Sequence, residues 1–507
     1  IGYHSVSLLA DAYIKGIRDY DVEKAYKAIK QLADGERAGK EDYLQYGYIP
    51  DDFSIESVSR TLEYSYDDWC VTRLAKDFNE SDYQRYTQRG EFYKNVFSKE
   101  IGFMSPKNSN YLWVDNFDPM TVTKLHFTEA NSYQYTPFVL QDIAGLIKLI
   151  GGDKEFEKWL DNNFSTETDT INNKILDADV TGLIGQYAHG NEPSHHVAYL
   201  YNYAGVPWKT QKQVLEIMET QYDSSPKGIS GNDDTGQMSA WYIFSAIGFY
   251  PVTPGLDYYV LGSPIFDKVT INLENGKKFK ITAKNTKSDN PYIQSVTLNG
   301  EPYSKSYLNH SDIMNGSNME IEMGEHPNKD WGKAIENRPY SPKYECAPVP
   351  MMNSTGRKFL ESSTVTLTSE NESAIIRFTL DSSEPDKNSK EFTDPIIIKE
   401  TRVLKAKCFM EGILPGYTTA FKFEKLKLQP ALNVSNSKKG LKYKYKEVGC
   451  AKISDLDKHH ADNSGIISTI SIDSIKDSRA FGYQYNGFIN APVDGLYIFY
   501  LESNDGS

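Results

Sequence analysis

The sequence is poor in cysteine, in long apolar runs and in positive charge. Four cysteines stand among 507 residues, and no two of them form a CxxC motif; they are Cys70, Cys346, Cys408 and Cys450. This number is too low for a disulfide scaffold and argues against a zinc or redox site, while a bridge between the later cysteines stays open. No run reaches the roughly 18 apolar residues of a transmembrane helix, so no membrane span is predicted.

Lysine and arginine number 55 against 69 aspartate and glutamate residues, which gives a net charge of −14. This balance argues against a nucleic-acid partner, which would require a basic face, and is compatible with a neutral substrate or a cation. The chain begins with Ile1 and not with Met, so we expect it to be part of a longer protein. The lack of a visible signal peptide therefore says nothing about export.

Tyrosine is abundant, with 36 residues against 23 phenylalanines and 6 tryptophans. Its flat apolar face and its hydroxyl suit contact with sugar rings, and core packing is the alternative for any single tyrosine.

Apolar residues recur at helical spacing up to about residue 250. The predicted helices are Ser5–Ile17, Asp21–Ala33, Ile55–Phe78, Asp82–Phe97, Gln141–Ile150, Asp153–Phe164, Ser194–Tyr203 and Lys209–Gln221. Asp21 is the predicted N-cap of the second helix. Successive helices joined by loops rich in Tyr, Trp, Asp, Asn and Gly predict a helical toroid with its chemistry at one end.

After residue 254 the pattern changes to alternating apolar and polar residues, which predicts antiparallel strands. Asn275-Gly276 and Asn299-Gly300 are predicted hairpin turns. The predicted strands are Tyr258–Leu261, Lys268–Leu273, Lys278–Ala283, Ile293–Leu298, Thr364–Thr368, Ala374–Leu380, Ile396–Ile398, Val403–Cys408, Thr418–Phe423, Phe481–Tyr485 and Gly495–Leu501. The predicted division begins with a catalytic domain at 1–254 and a β-rich extension at 255–335. A linker at 336–358 leads to a β-sandwich at 359–425, and a second linker at 426–439 leads to an incomplete β-sandwich at 440–507.

Three loops carry residues suited to chemistry. The first, Phe127–Tyr135, is named here the Glu129 loop. Its glutamate lies among aromatic and amide side chains, and apolar neighbours would raise the pKa of Glu129 and keep it protonated, as a general acid requires. A capping glutamate ahead of the helix near Gln141 is the alternative.

The second loop, His189–His196, is named the Asn191 loop and holds three histidines, a glutamate and an asparagine. Adjacent histidines cannot share one helix face, which weakens a zinc interpretation. Oxygen donors from Asn191 and Glu192 would suit a hard cation such as calcium. An ordinary helix start with Pro193 and Ser194 explains the same residues.

The third loop, Gly228–Tyr242, is named the Asp234 loop. Asp233 and Asp234 lie in a glycine-rich turn ahead of an apolar helix, where they can hold a cation or supply a base. A helix-capping aspartate beside a solvated neighbour is the alternative. Together the three loops offer the separated carboxylates, amides and aromatic faces that a glycosidase needs.

The runs GNEPSHHVAYLYNYAG (Gly190–Gly205) and GISGNDDTGQMSAWYIFSAIGFYPVTPG (Gly228–Gly255) resemble glycoside hydrolase family 92, the calcium-dependent exo-acting α-mannosidases. LEYSYDDW (Leu62–Trp69), the Glu129 loop and Trp331-Gly332 support the resemblance, which covers about residues 1–335. It implies a multidomain fold: an all-α (α/α)6 toroid catalytic domain, incomplete at its N-terminus and without the family's N-terminal sandwich, followed by β-sandwich modules.

Two later segments resemble other modules. IIRFTLDSSEP, which begins at Ile375, resembles the C-terminal β-sandwich of chitobiase and hexosaminidase enzymes. Residues 440–507, with the run from Phe488 to Pro492, resemble the start of a protective-antigen-type β-sandwich, a module often linked to carbohydrate binding. That module would continue beyond Ser507.

The family resemblance implies roles for single residues. Glu129 matches the general acid, Asp234 matches the base that activates water, and Asp233 could support the same water. Asn191 and Glu192 match the loop beside the calcium ion. The predicted substrate-binding residues are Asp68, Trp69, His195 and His196.

The implied activity is calcium-dependent inverting hydrolysis of terminal α-mannosides, with α-1,2 bonds as the commonest expectation, in mannose-rich glycans or glycoproteins. An inverting pair requires carboxyl groups about 6.5–9.5 Å apart. The family implies a secreted, periplasmic or cell-surface location, and the oligomeric state is not predicted. The alternatives are a catalytically inactive carbohydrate-binding or adhesion protein and another (α/α)6 glycosidase, such as one acting on glucosides.

Overall fold

The computed structural model of the chain describes residues 1–167, 180–342, 346–435, 437–448, 453–470 and 481–497. The chain divides into two compact units. The first comprises Ile1–Ser354, Val365–Ile396 and Val403–Phe421, and the second comprises Thr355–Thr364, Ile397–Arg402 and Lys422–Ser507. In the described part of the chain, no helix combines the length and the apolar character that crossing a membrane requires.

Helices dominate the chain up to residue 247. The α-helices are α1 Ser5–Ile14, α2 Val22–Asp34, α3 Lys40–Tyr46, α4 Ser57–Phe78, α5 Glu80–Gly90, α6 Ser132–Tyr135, α7 Ile143–Ile150, α8 Asp153–Ser165, α9 Pro207–Thr220, α10 Gln237–Ile247 and α11 His310–Met314. The 3₁₀ helices are Phe92–Val96, Glu192–Ser194, Val197–Asn202, Ile335–Asn337 and Ile453–Lys458. The predicted cap of α2 is confirmed, because the Asp21 side chain accepts a hydrogen bond from the Lys24 amide at 2.9 Å.

The 22-residue helix α4 is the centre of the helical part. It packs against α1, α2 and α5, and its residues from Ser57 to Ala75 are almost all buried. Close packing with α5 depends on Gly90, where an added Cβ would lie 3.2 Å from the Cβ of Trp69. A central helix of this kind fixes the positions of the loops that cross its ends.

Two predicted helices differ from the structure. The helix predicted over Asp82–Phe97 ends as an α-helix at Gly90 and continues as a 3₁₀ helix that stops at Val96. The segment predicted as Ser194–Tyr203 is built from two 3₁₀ helices. All six residues of the second one, Val197–Asn202, are buried, so apolar spacing could not distinguish its three-residue turn from an α-helical turn.

Four short strands lie among the helices that the structure describes, and strands dominate the chain after α10. They are β1 Phe97–Ser98, β2 Phe103–Met104, β3 Leu183–Ile184, β4 Tyr187–Ala188, β5 Phe249–Tyr250, β6 Tyr258–Leu261, β7 Lys268–Asn272, β8 Lys278–Lys284, β9 Tyr292–Leu298, β10 Glu301–Pro302, β11 Tyr307–Asn309, β12 Asn318–Gly324, β13 Met351–Ser354, β14 Lys358–Phe359, β15 Ser363–Thr368, β16 Ile375–Thr379, β17 Lys390–Glu391, β18 Ile396–Ile398, β19 Arg402–Phe409, β20 Thr419–Lys425, β21 Leu441–Lys446, β22 Asn463–Ile467 and β23 Gly482–Asn486. The strand predicted over Gly495–Leu501 lies partly outside the described residues, and no strand covers residues 495–497.

The β-rich extension contains a five-stranded sheet in the order β10-β9-β12-β8-β7. The hairpin predicted at Asn275-Gly276 joins the antiparallel pair β7 and β8. The expectation of antiparallel strands is wrong in this sheet, since β12 runs parallel to β8. This follows because β12 enters between β8 and β9, after β11 and α11, and pairs antiparallel with β9. The expectation is also wrong later in the chain, where β14 pairs parallel with β20.

In the described residues Cys70, Cys346 and Cys408 are free thiols, and Cys70 and Cys408 are buried. Cys450 lies outside the described residues. A bridge between Cys346 and Cys408, one of the pairings that the sequence left open, does not form.

The core of the extension gives a test with neighbouring residues on β8. Ile281 is buried in the apolar cluster of this sheet, and the adjacent Lys280 is exposed. We predict that Ile281→Ala lowers the free energy of unfolding by about 2–5 kcal/mol because it leaves a cavity. Lys280→Ala should change it by less than about 0.5 kcal/mol. Urea unfolding followed by tryptophan fluorescence measures both, and equal effects would contradict this core.

Candidate active site

The Glu129 loop ends at a capped helix. Asn131 accepts a hydrogen bond from the Gln134 amide while the Gln134 side chain accepts one from the Asn131 amide, and this capping box opens α6. Asp142 caps α7 in turn. Because these two residues supply the caps, capping does not explain Glu129, which lies half-buried between the buried residues Phe127 and Ala130.

The Asn191 loop contacts the Glu129 loop directly. The Asn191 side chain is 6% exposed, and its Nδ2 donates to the backbone carbonyl of Glu129 at 2.9 Å. A second link joins the same regions, since Asn131 Nδ2 donates to Gln186 Oε1 at 2.9 Å. The residue that matches the calcium loop therefore lies against the residue that matches the general acid.

The two aspartates of the Asp234 loop differ in their surroundings. The Asp233 carboxylate accepts from the Ser239 amide at 2.9 Å and from the Ser239 hydroxyl at 3.1 Å. It thus caps an amide in the first turn of α10, although the N-cap position itself is Gly236. Asp234 is exposed, and its carboxylate has no hydrogen-bond partner in the described ranges. The structure thus matches the alternative of a capping aspartate beside a solvated one, and a role for Asp233 beside the water stays a prediction.

Both predicted catalytic carboxylates stand on unusual backbone. Among the described residues, nine non-glycine residues have positive φ, and they include Glu129 at 51° and Asp234 at 38°. Thr235, at 59°, continues the left-handed turn. Such backbone costs about 1–3 kcal/mol for each residue and concentrates at functional sites. This strain is an independent reason to look for chemistry at these two positions.

Histidine and glutamine side chains join the Asn191 loop to α10. His195 Nε2 donates to the His189 carbonyl at 2.9 Å, so its Nδ1 accepts from Gln237 Nε2 at 3.2 Å. The Trp241 indole N–H donates to the His195 carbonyl at 2.9 Å. Since Gln237 follows Asp234 by three residues, these bonds place the base candidate beside the Asn191 loop.

Glycine lets the backbones of these two loops approach closely. Gly231 has φ of +74°, and an added Cβ would lie 2.9 Å from the Gly190 carbonyl oxygen. At Gly190 an added Cβ would lie 2.0 Å from Thr181 Oγ1. A side chain at residue 231 would therefore push the Asp234 loop away from the Asn191 loop, and one at residue 190 would collide with Thr181.

His195 and His196 are buried and neutral. Burial lowers the pKa of each to about 4. The hydrogen bonds to the carbonyls of His189 and Pro137 raise these pKa values, but by less than burial lowers them. His196 Nε2 donates to the Pro137 carbonyl at 2.8 Å. The described contacts of both histidines are with protein, and their binding of substrate stays a prediction.

Asp68 and Trp69 lie elsewhere, in the interior around α4. Asp68 accepts hydrogen bonds from the hydroxyls of Tyr3 at 2.6 Å and Tyr43 at 3.0 Å, and the charged nitrogens of Lys40 and Arg89 lie 3.5 Å away. Trp69 is 1% exposed. The structure does not bring these two side chains to the three loops, so the predicted contact with substrate finds no support in this geometry.

The donor atoms of the Asn191 loop fit calcium in kind. Asn191 and Glu192 offer amide and carboxylate oxygens, which a hard cation prefers. The Asn191 amide nitrogen is used by Glu129, and its Oδ1 accepts no hydrogen bond from the described residues. No group of three or more His, Cys, Asp or Glu side chains in the described ranges could hold a metal. Most ligands would therefore be amide, backbone, water or sugar oxygens.

The sequence reasoning missed the residues that connect the loops. Gln237 bridges His195 and Tyr250, and Gln186 receives the bond from Asn131. Both side chains are uncharged amides near loops that carry carboxylates and histidines, so a pattern of ionisable residues does not include them. The signal available was Gln237 itself, inside the longest motif of the chain.

The two aspartates allow a matched comparison of stability. We predict that Asp233→Ala lowers the free energy of unfolding by about 1 kcal/mol, because it removes the cap of α10. Asp234→Ala should change it by less than about 0.5 kcal/mol, since that carboxylate makes no side-chain hydrogen bond in the described structure. Urea unfolding of both variants decides, and a larger loss in Asp234→Ala would contradict the assignment of the cap.

The buried histidines predict a pH dependence of stability. In the unfolded chain His196 binds a proton below about pH 6.5, whereas in the folded chain it binds one only below about pH 4. The free energy of unfolding therefore falls as the pH falls from 6.5 to 4. His196→Gln keeps a donor for the Pro137 carbonyl and removes the titration. We predict a shallower fall of unfolding free energy between pH 6.5 and 4 in this variant; identical slopes would show that burial does not lower this pKa.

A model of the glycosyl hydrolase family 92 catalytic domain matches residues 1–325, and a model of the chitobiase/β-hexosaminidase C-terminal domain matches residues 353–419. Both resemblances are confirmed by these matches, and that of residues 440–507 to a protective-antigen-type module stays a prediction. An uncharacterized secreted glycosidase of Arthroderma benhamiae is 29% identical over 382 residues, 67% of this chain and 47% of that protein.

Solved structures agree with the family match. A family GH92 α-mannosidase from Bacteroides thetaiotaomicron has a TM-score of 0.63 and 41% identity over 67% of this chain and 45% of its own. A family GH92 inverting mannosidase from the same organism has a TM-score of 0.61 and 39% identity over 67% and 48%. The chain thus spans about half the length of these relatives. Because the family model covers well over half of its residues, the chain belongs to glycosyl hydrolase family 92.

Proposed function

We propose that this chain carries the catalytic centre of an exo-acting, inverting α-mannosidase that removes terminal mannose from mannose-rich glycans or glycoproteins. The observation that carries the proposal is the Asn191 loop. It bonds to the Glu129 carbonyl on one side and, through His195 and Gln237, to the start of α10 beside Asp234 on the other. One segment thus connects the acid candidate to the base candidate. Two solved structures similar to this chain are described as α-mannosidases or inverting mannosidases.

In the proposed reaction Glu129 donates a proton to the oxygen of the departing group. Asp234 removes a proton from a water molecule that attacks the anomeric carbon from the opposite face. The exposure of Asp234 suits contact with water, and the half-buried position of Glu129 suits an acid that must hold its proton. Inversion follows because no covalent bond to the protein forms.

Calcium is part of the proposal. Asn191 and Glu192 would supply amide and carboxylate oxygens to it, and a bound ion would polarise the hydroxyls of the sugar. The link from Asn191 to Glu129 means that loss of the ion would also disturb the loop that carries the acid.

The finer architecture and location belong to the same proposal. We infer an (α/α)6 toroid in the complete protein, with the three loops at one end of it. A secreted, periplasmic or cell-surface location suits an enzyme acting on glycans, and a relative of this chain is described as a secreted glycosidase.

The direct test is mannose release by the complete protein from α-1,2-, α-1,3-, α-1,4- and α-1,6-mannobiose. We predict activity on at least one of them, with α-1,2 tested first, and a loss of about 10²-fold or more in kcat for Glu129→Gln and for Asp234→Asn. Asp330→Asn, at a side chain 96% exposed, is the matched control and should keep wild-type rates. Chelator should abolish release, and added calcium should restore it.

Three outcomes would overturn parts of this proposal. Binding of mannobiose without any hydrolysis would favour an inactive carbohydrate-binding protein. Release of glucose from glucosides, without release of mannose, would favour a different glycosidase. Full activity in the presence of chelator would remove calcium from the account while leaving the two carboxylates in place.

A further inference from the structure

A polar stripe runs along one side of the buried helix α4. Ser59, Glu63 and Asp67 follow one another at intervals of four residues, so they lie on the same face of the helix. All three are buried, and Glu63 is 4% exposed. None of them was assigned a role by the sequence motifs.

The first member of the stripe holds the Glu129 loop. The Thr128 amide donates to Ser59 Oγ at 2.8 Å, and the two hydroxyl oxygens lie 3.2 Å apart. Thr128 is the residue immediately before Glu129. The start of α4 therefore fixes the backbone on one side of the acid candidate.

The second member holds the other end of the same loop. The hydroxyl of Tyr135, the last residue of α6, donates to Glu63 Oε1 at 3.1 Å. Tyr135 is 2% exposed, and its ring stacks on Phe127 with centroids 6.0 Å apart and planes inclined by 28°. Phe127 lies two residues before Glu129, and Tyr135 lies six residues after it. The contact between their rings therefore joins the two ends of the loop that carries the acid.

We infer that Glu63 is a positioning residue for Glu129, acting through the hydroxyl of Tyr135. The inference deepens the proposed function and rests on the assignment of Glu129 as the acid. The loop that carries the acid is then held by three hydrogen bonds, with Ser59 and Glu63 on one face of α4 and with Asn191. Loss of the bond between Tyr135 and Glu63 should misplace the acid without unfolding the chain.

The second oxygen of the Glu63 carboxylate, Oε2, faces His4. His4 Nε2 lies 3.3 Å from Glu63 Oε2, and His4 Nδ1 lies 3.4 Å from Asp67 Oδ1. The backbone amide of Tyr3 donates to Asp67 Oδ2 at 2.6 Å. Burial raises the pKa of Glu63 to about 7, and the nearby His4 opposes this rise. The Glu63 carboxylate thus accepts the hydrogen bond of Tyr135 at one oxygen and has the His4 ring near the other.

Tyr135→Phe and Glu63→Ala each remove the bond, and Glu63→Gln keeps an acceptor for it. The matched control is Tyr93→Phe, which removes an equally buried hydroxyl bond to Asp142 of 2.7 Å. Thermal unfolding identifies any variant that fails to fold. In that case Tyr135→Phe, which deletes a single oxygen, carries the test.

Leaving-group dependence separates positioning of the acid from general damage. In Tyr135→Phe and Glu63→Ala, kcat on mannobiose should fall about tenfold or more with KM unchanged, because a misplaced acid cannot protonate a sugar oxygen. On 2,4-dinitrophenyl α-mannoside, whose leaving group needs little protonation, the fall should be less than about threefold. Glu63→Gln and Tyr93→Phe should stay within about threefold of wild type on both substrates.

Equal losses on both substrates, or none on either, would overturn the inference. So would Glu63→Gln losing as much as Glu63→Ala, since the acceptor would then not matter. A wild-type protein without mannosidase activity overturns the proposed function instead. Hydrogen exchange of the amides from Thr128 to Tyr135 then decides the positioning claim. It should quicken in Tyr135→Phe but not in Tyr93→Phe, and equal exchange in both would contradict it.

Discussion

The hydrogen bond from the Asn191 side chain to the Glu129 carbonyl is the contact on which the site depends. It is partly buried, and it joins two residues that lie 62 positions apart in the chain. The same Asn191 loop holds α10 through His195 and Gln237, and the glycines at 190 and 231 let the backbones meet. This segment therefore relates the acid candidate to the base candidate through hydrogen bonds on both of its sides.

Strain and burial follow from that arrangement. Glu129 and Asp234 both take left-handed backbone, which the surrounding bonds must hold against its cost. Rigid elements supply this support: the capping box of Asn131 after Glu129, and the Asp233 cap after the glycine turn. The neutral histidines of the Asn191 loop add buried hydrogen bonds without adding charge.

Much of the fold could be predicted from local patterns. The strand predicted over Lys278–Ala283 and the turn at Asn275-Gly276 are confirmed, because alternation and turn residues act over a few positions. The parallel pair of β8 and β12 could not be predicted, since it depends on a crossover between distant segments. At the site, sequence motifs predicted that the three loops carry the functional residues. They could not show that Asp68 is bound by buried tyrosines, because burial is decided by the tertiary packing of α4.

The most direct test of the account is the anomer of mannose that is released first. Glu129 and Asp234 are interpreted as an acid and a base with water between them, and this arrangement inverts the anomeric carbon. Proton NMR of the complete protein acting on an α-mannoside, recorded before mutarotation, should show β-mannose as the first product. Initial formation of α-mannose would contradict the account, because it would require a covalent intermediate on one of these carboxylates.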